Sequence, residues 1–256
     1  MANFATFFLA AGSLLISATS GIAVAAEPTF ASATAPAPIP LFSSQPAGGT
    51  VKDWAFQAVR NAPNATKYAL VRDDEIGVTV LEGSATAAAG ALIYRFDGDA
   101  RVTPMLRFKW KAGGLIASSD PRTKAGDDYV ARIYVTFASD PERASVKEKT
   151  ENALAQALYG ETPPHAALSY VFTHKSALGS IITSPYTQRV KKIVVDADPN
   201  SVGKWKSFSR DIYDDYKRAF GEEPTRISGI AIMVDTDNTG ETASARFGDI
   251  TLGSRQ

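Results

Sequence analysis

Tyr129-Val-Ala-Arg132-Ile-Tyr134-Val-Thr-Phe137 is the stretch on which the fold turns. At the two-residue period of a β-strand, one face carries Tyr129, Ala131, Ile133, Val135 and Phe137. The opposite face carries Val130, Arg132, Tyr134 and Thr136, so one side suits a core and the other is mixed. Met105 to Lys111 splits more sharply, with Leu106, Phe108 and Trp110 opposite Arg107, Lys109 and Lys111. Working outward, Tyr68 to Arg72, Gly77 to Leu81, Ala91 to Phe96, Leu168 to His174, Arg189 to Val195, Ser228 to Val234 and Ala245 to Leu252 have the same texture. They are rich in Val, Ile, Tyr and Phe and are separated by Gly, Pro, Asp and Asn clusters, the punctuation of an all-β domain.

Two helices interrupt the series. Asp140-Pro141 supplies an N-cap and a proline at the first helical position, and a helix is predicted from there toward Tyr159. A second is predicted over Ser209 to Phe220, with Ile212, Tyr216 and Phe220 on one stripe and Gly221 placed for a left-handed cap. Many short strands with two inserted helices predict an all-β fold: a two-sheet antiparallel β-sandwich of jelly-roll type. There is no internal repeat.

Residues 1–26 contain no charged side chain, and Phe4 to Ala18 is nearly continuously apolar, ending in Ala23-Val24-Ala25-Ala26 before Glu27. This reads as a signal peptide removed at a small-x-small site. Residues 27–50 are rich in Pro, Ala, Ser and Gly and read as a flexible linker. Residues 51–256 are then the β-sandwich domain. The expected location is a bacterial periplasm or the exterior, with no stable membrane insertion after cleavage. The chain has no cysteine, which excludes disulfides and thiol catalysis. Lys+Arg and Asp+Glu are both 27, so no basic surplus points to nucleic acid.

Two acidic stretches carry the chemistry. Asp235-Thr-Asp237-Asn238-Thr-Gly240 imitates the start of an EF-hand loop, but Arg246 stands where the closing bidentate Glu belongs. An EF-hand is therefore rejected, leaving a looser calcium site or a solvated turn. Gly126-Asp127-Asp128 precedes the deciding strand, where its carboxylates could hold a cation, accept sugar hydroxyl protons or pair with Arg132. On the second helix, Asp211 and Asp215 are i, i+4 neighbours beside Arg210, with helix-dipole stabilisation the plain alternative. His165 and His174 are the only histidines, too few for a zinc site. No G-x-S-x-G, H-E-x-x-H or P-loop pattern occurs. Trp54, Trp110 and Trp205 are either sugar-stacking rings or core.

Several of these segments, taken in order, resemble a known family. They are Phe108-Lys-Trp110-Lys111, Gly126 through Phe137, Leu168-Ser-Tyr170-Val-Phe172, Arg210 through Pro224, Ile230 through Gly240 and Ala245 through Ile250. The family is the bacterial exported one catalogued as domain of unknown function thirty-forty-seven, and the resemblance runs from about Asp53 to Leu252. Where that family suggests Trp-Arg-Trp-Arg and Tyr-x-Trp, this chain has Phe108-Lys109-Trp110-Lys111 and Tyr170-Val171-Phe172. The resemblance implies a jelly-roll sandwich similar to galactose-binding-like and carbohydrate-binding modules, folds that often carry a structural calcium.

The function expected is non-catalytic binding of a carbohydrate or another cell-envelope component. Trp110, Asp127, Asp128, Arg132, Tyr134, Arg210 and Asp211 are the candidate ligand contacts, and Asp235, Asp237 and Asp249 the candidate calcium ligands. Two alternatives stand beside it. An envelope glycoside hydrolase or lyase would need two carboxylates across a groove. A structural or assembly module would consume Arg132 and Arg210 in internal ion pairs.

Overall fold

The computed structural model describes residues 39–142, 144, 146, 148–150, 152, 153 and 162–255. The expected signal peptide and the first part of the expected linker lie outside them. Thirteen strands follow in chain order: β1 Ala55–Ala58, β2 Lys67–Asp73, β3 Val78–Thr86, β4 Gly90–Gly98, β5 Met105–Ala112, β6 Arg132–Phe137 and β7 Ala166–Phe172. Then come β8 Ile181–Thr183, β9 Val190–Asp196, β10 Lys206–Asp211, helix α1 Ile212–Phe220, β11 Ile227–Met233, β12 Thr242–Phe247 and β13 Thr251–Gly253. They form a seven-stranded sheet, order β1-β4-β11-β6-β7-β9-β8, facing a six-stranded one, order β10-β5-β12-β3-β2 with β13 also on β5. All pairings between named strands are antiparallel except β7 with β9. The chain is the predicted two-sheet sandwich.

Alternation along each strand builds the interior. Ile133, Val135 and Phe137 of β6 meet Leu106, Phe108 and Trp110 of β5 in one core, which Leu70, Leu81, Tyr170, Ile230, Ile232 and Phe247 complete. The odd-numbered face of β6 is thus the core face, as its pattern predicts. The other face of the seven-stranded sheet is covered too: Tyr134, Ala231, Met233, Ala91, Ile93, Ala167 and Val190 form a second apolar cluster. This explains why every residue of β6 and β7 is buried.

Several boundaries differ from those predicted: β3 runs on to Thr86, and β1 and β8 stand where no strand was predicted. The segment 129–131 leads into β6 rather than pairing within it, and the stretch Ala245 to Leu252 is two strands with a break at 248–250. The second helix begins at Ile212, because Ser209 to Asp211 finish β10 against β5. Asp211 is its N-cap, accepting from the Asp214 N–H at 3.0 Å, and Gly221 closes it at φ 75°. Of the first predicted helix, residues 146, 148–150, 152 and 153 are helical, residues 140–142 and 144 at its predicted start are not, and the rest of it lies outside the described residues.

Residues 39–50, the end of the linker expected over 27–50, lie against the sandwich. Ile39 and Phe42 are buried in the main core, and the Phe42 ring sits 5.3 Å from that of Trp54. Ser43 fastens the same segment to the far end of the chain, its N–H and hydroxyl donating to the two Asp249 oxygens at 3.0 and 2.5 Å. Among the described residues no helix is long and apolar enough to cross a membrane.

Candidate functional site

The antiparallel register places the start of β6 beside the end of β11, with Arg132 opposite Met233 and also opposite Val171 of β7. The acidic turn after β11 therefore meets the Asp127–Asp128 stretch before β6. Because Arg132 and Tyr134 lie on the face of β6 away from the main core, the charges gather on the outer side of the seven-stranded sheet.

Each charge has a defined place. Arg132, 1% exposed, pairs its Nη2 with Asp235 Oδ2, and its guanidinium lies 4.9 Å from the Tyr129 ring centroid and 5.3 Å from that of Tyr134. Asp127 accepts from Lys192 Nζ at 2.7 Å and from the Tyr129 hydroxyl at 3.1 Å. Lys192 is itself buried and also donates to the Pro121 carbonyl. Asp128 accepts from the Thr239 N–H at 2.7 Å, the Asn238 N–H at 3.1 Å and the Asn238 side-chain amide at 2.8 Å. One carboxylate thus organises the whole acidic turn. Asp237 remains half-buried at the rim, beside Asn238 and Tyr186, whose hydroxyl lies 3.2 Å from Asn238 Oδ1.

The loop over 113–128 covers this cluster. Glu241 anchors it by accepting from the Ala117 and Ser118 N–H groups at 2.9 and 2.8 Å, and the Ser119 hydroxyl donates to the Asp128 carbonyl at 2.7 Å. The Tyr186 hydroxyl donates to the Lys124 carbonyl at 3.1 Å.

Electrostatically the cluster is one-sided. Asp127, Asp128, Asp235 and Asp237 face two buried cations, Arg132 and Lys192, leaving two negative charges in surplus. Burial, then the charge of Asp128, lifts the Asp237 carboxyl to about 6. Burial also pushes Asp235 up, and Arg132 opposes it; for Arg132 burial works downward, and Asp235 together with Tyr134, Asp127 and Tyr129 outweighs it to hold the guanidinium above its usual value. These directions pull against each other across one contact. Arg does not release its proton in this range, so the ion pair is the state the geometry supports. Asp128, Asp235 and Asp237 each offer an oxygen within 4.8 Å of the others, a spacing a hard divalent cation can bridge.

Of the ten residues singled out from sequence, six converge here: Asp127, Asp128, Arg132, Tyr134, Asp235 and Asp237. Four do not. Trp110 is fully buried between the sheets, its ring 4.8 Å from Phe208, and offers no wall to a ligand. Arg210 forks onto Asp215, with Nε at 2.9 Å, and Asp211 caps α1. Asp249 binds Ser43 rather than joining Asp235 and Asp237, because the chain breaks between β12 and β13 and turns it toward residue 43. Sequence reading passed over Lys192 and Tyr186, and Asn238, expected as an oxygen donor for calcium, instead donates to Asp128. Lys192 stands out only once β9 is known to be buried, as a lysine on the same strand face as Val190 and Val194.

Fold and site together define a β-sandwich with a loop-covered, net-acidic polar cluster on the outer side of one sheet. The chain belongs to the family described as Protein of unknown function (DUF3047), whose model matches residues 52–251. No curated protein matches it. Among solved structures it is similar to the family 30 carbohydrate-binding module of the cellulosomal cellulase Cel9D-Cel44B of Clostridium thermocellum. The identity is 12%, over 82% of this chain and 91% of that one, at a TM-score of 0.33. At that level the likeness says nothing about a ligand.

Proposed function

We propose that this protein is an exported, non-catalytic β-sandwich that binds a carbohydrate or another hydroxyl-rich envelope component at the Asp128–Asp235–Asp237 end, with calcium bridging protein and ligand. The observation that carries this is the surplus of negative charge: four carboxylates share two cations in an enclosed region outside the main core. A sandwich this size needs no such cluster for stability, since buried ion pairs are weak stabilisers against apolar side chains of equal volume. A hard cation bound by three carboxylates would neutralise the surplus, and its remaining coordination positions suit hydroxyl or water oxygens. Asp127, Asp128 and Asp235 already hold protein donors, which supports binding over acid–base catalysis.

One observation favours a second reading, a structural module. Arg132 pairs with Asp235 and Arg210 with Asp215, the internal consumption that reading requires. Thermal unfolding with and without calcium, alone and with a glycan panel, separates the two. Binding predicts that calcium raises Tm, that a glycan raises it further, and that Asp237→Asn removes the calcium response while the protein stays folded. A Tm indifferent to calcium and to every glycan would leave the structural module standing.

A further inference from the structure

The outer face of the six-stranded sheet holds a separate arrangement. Arg107, Lys109 and Lys111 point outward from β5, and their surroundings differ. Lys111 meets Glu75 at 2.6 Å, and Arg246, opposite it in the register, meets Asp73 at 2.9 Å and Glu82 at 2.8 Å. Arg107 and Lys109 meet no carboxylate among the described residues. Their neighbours are hydroxyls and glycines instead. Ser209 and Thr251 flank Arg107 in the register, and exposed Ser207 flanks Lys109.

The glycines let both cations lie along the sheet. A Cβ on Gly248 would fall 2.4 Å from Lys109 Cε, and one on Gly253 would fall 2.9 Å from an Arg107 guanidinium nitrogen. Trp205 borders the patch, half-buried and fixed by its Nε1–H donating to Asp73 at 3.3 Å, with the Lys109 ammonium 5.6 Å from its ring centroid. Alternate residues on one strand face place the two cations about 7 Å apart at their Cα atoms.

We propose that this face binds an anionic, polyhydroxylated chain, a carboxylate-bearing polysaccharide of the polyuronate class. Arg107 and Lys109 take successive acid groups, Ser207, Ser209 and Thr251 take ring hydroxyls, and the exposed part of Trp205 contacts a sugar ring. Charge complementarity selects this occupant: a neutral glycan leaves both cations unanswered. The exposed large apolar side chains, such as Phe56, Val102 and Leu178, lie on none of β5, β10, β12 and β13, so the face lacks the apolar area a protein partner needs.

The test is affinity electrophoresis of the full chain through gels containing polygalacturonate or dextran, at low and high salt. Polygalacturonate should retard the protein and dextran should not, with retardation falling as salt rises. Arg107→Ala/Lys109→Ala and Trp205→Ala should each weaken retardation about tenfold or more with circular dichroism unchanged. Asp237→Asn should leave it intact, which keeps this face distinct from the calcium-bridged site. No retardation would overturn the proposal, as would retardation unmoved by the β5 variants, loss in Asp237→Asn instead, or tighter binding to duplex DNA or anionic vesicles.

Discussion

Asp237 and Arg132 are neighbours in one cluster and respond oppositely to loss of charge. Burial and the charge of Asp128 hold the Asp237 carboxyl at about 6, against 3.8 for the ordinary group. Between those values the folded protein keeps a proton that the unfolded chain has released. The stability this confers is complete below the unfolded value and is lost as pH climbs through about 6. Asp237→Asn removes that loss. With a chelator present, urea unfolding near neutral pH should find the variant more stable than the parent by about 1 kcal/mol, the figure reduced for partial exposure. The gap should close toward the acid end of the window, and a variant less stable at neutral pH would refute the surplus-charge account. Arg132 is the reverse case, because its removal leaves Asp235 buried without its cation. Arg132→Ala should cost about 3–5 kcal/mol in the same measurement. For that reason it cannot report on ligand binding, and Asp237 at the rim can.

At the scale of elements, legibility followed burial asymmetry. β5 was plain from sequence because its inner face is apolar and its outer face cationic, and β6 was plain because nine residues sustain one period. β10 was not. Lys206 to Asp211 contains one strongly apolar residue, Phe208, and its polar last three residues suit the first turn of a helix as well as a strand end, so they were placed in the predicted helix. What separates them is the pairing with β5, a contact distant in sequence that no local pattern encodes. Asp211 marks the junction, and its value can be measured. Asp211→Ala deletes the cap bond to Asp214 and the pairing with Arg255 and should cost about 1 kcal/mol, read from the urea midpoint. Gly221→Ala places a Cβ at φ 75° and should cost a similar amount at the other end of α1. Unchanged midpoints in both would mean that packing of Ile212 and Tyr216, rather than the caps, sets where the helix starts and stops.

For the whole molecule, the candidate site was legible in its parts and not in its assembly. Asp127, Asp128, Asp235 and Asp237 were visible as acidic punctuation around two strands, and Arg132 as a cation on one of them, but that β6 lies beside β11 is a fact of sheet order. The same reason accounts for Asp249 and for the start of the domain. Composition alone reads residues 39–50 as linker, since Pro, Ser and Gly dominate them. Two apolar side chains decide otherwise, because the sandwich leaves a place for Phe42 against Trp54 and Asp249 waits for Ser43. A fully buried Phe is worth about 3–5 kcal/mol against Ala. Phe42→Ala should therefore destabilise the protein by that amount. A chain beginning at residue 51 should lose at least as much relative to one beginning at residue 39, both followed by thermal and urea unfolding. If the chain begun at residue 51 instead unfolds at the same midpoint as the longer one, the segment only lies on the sandwich. The domain would then begin where composition places it.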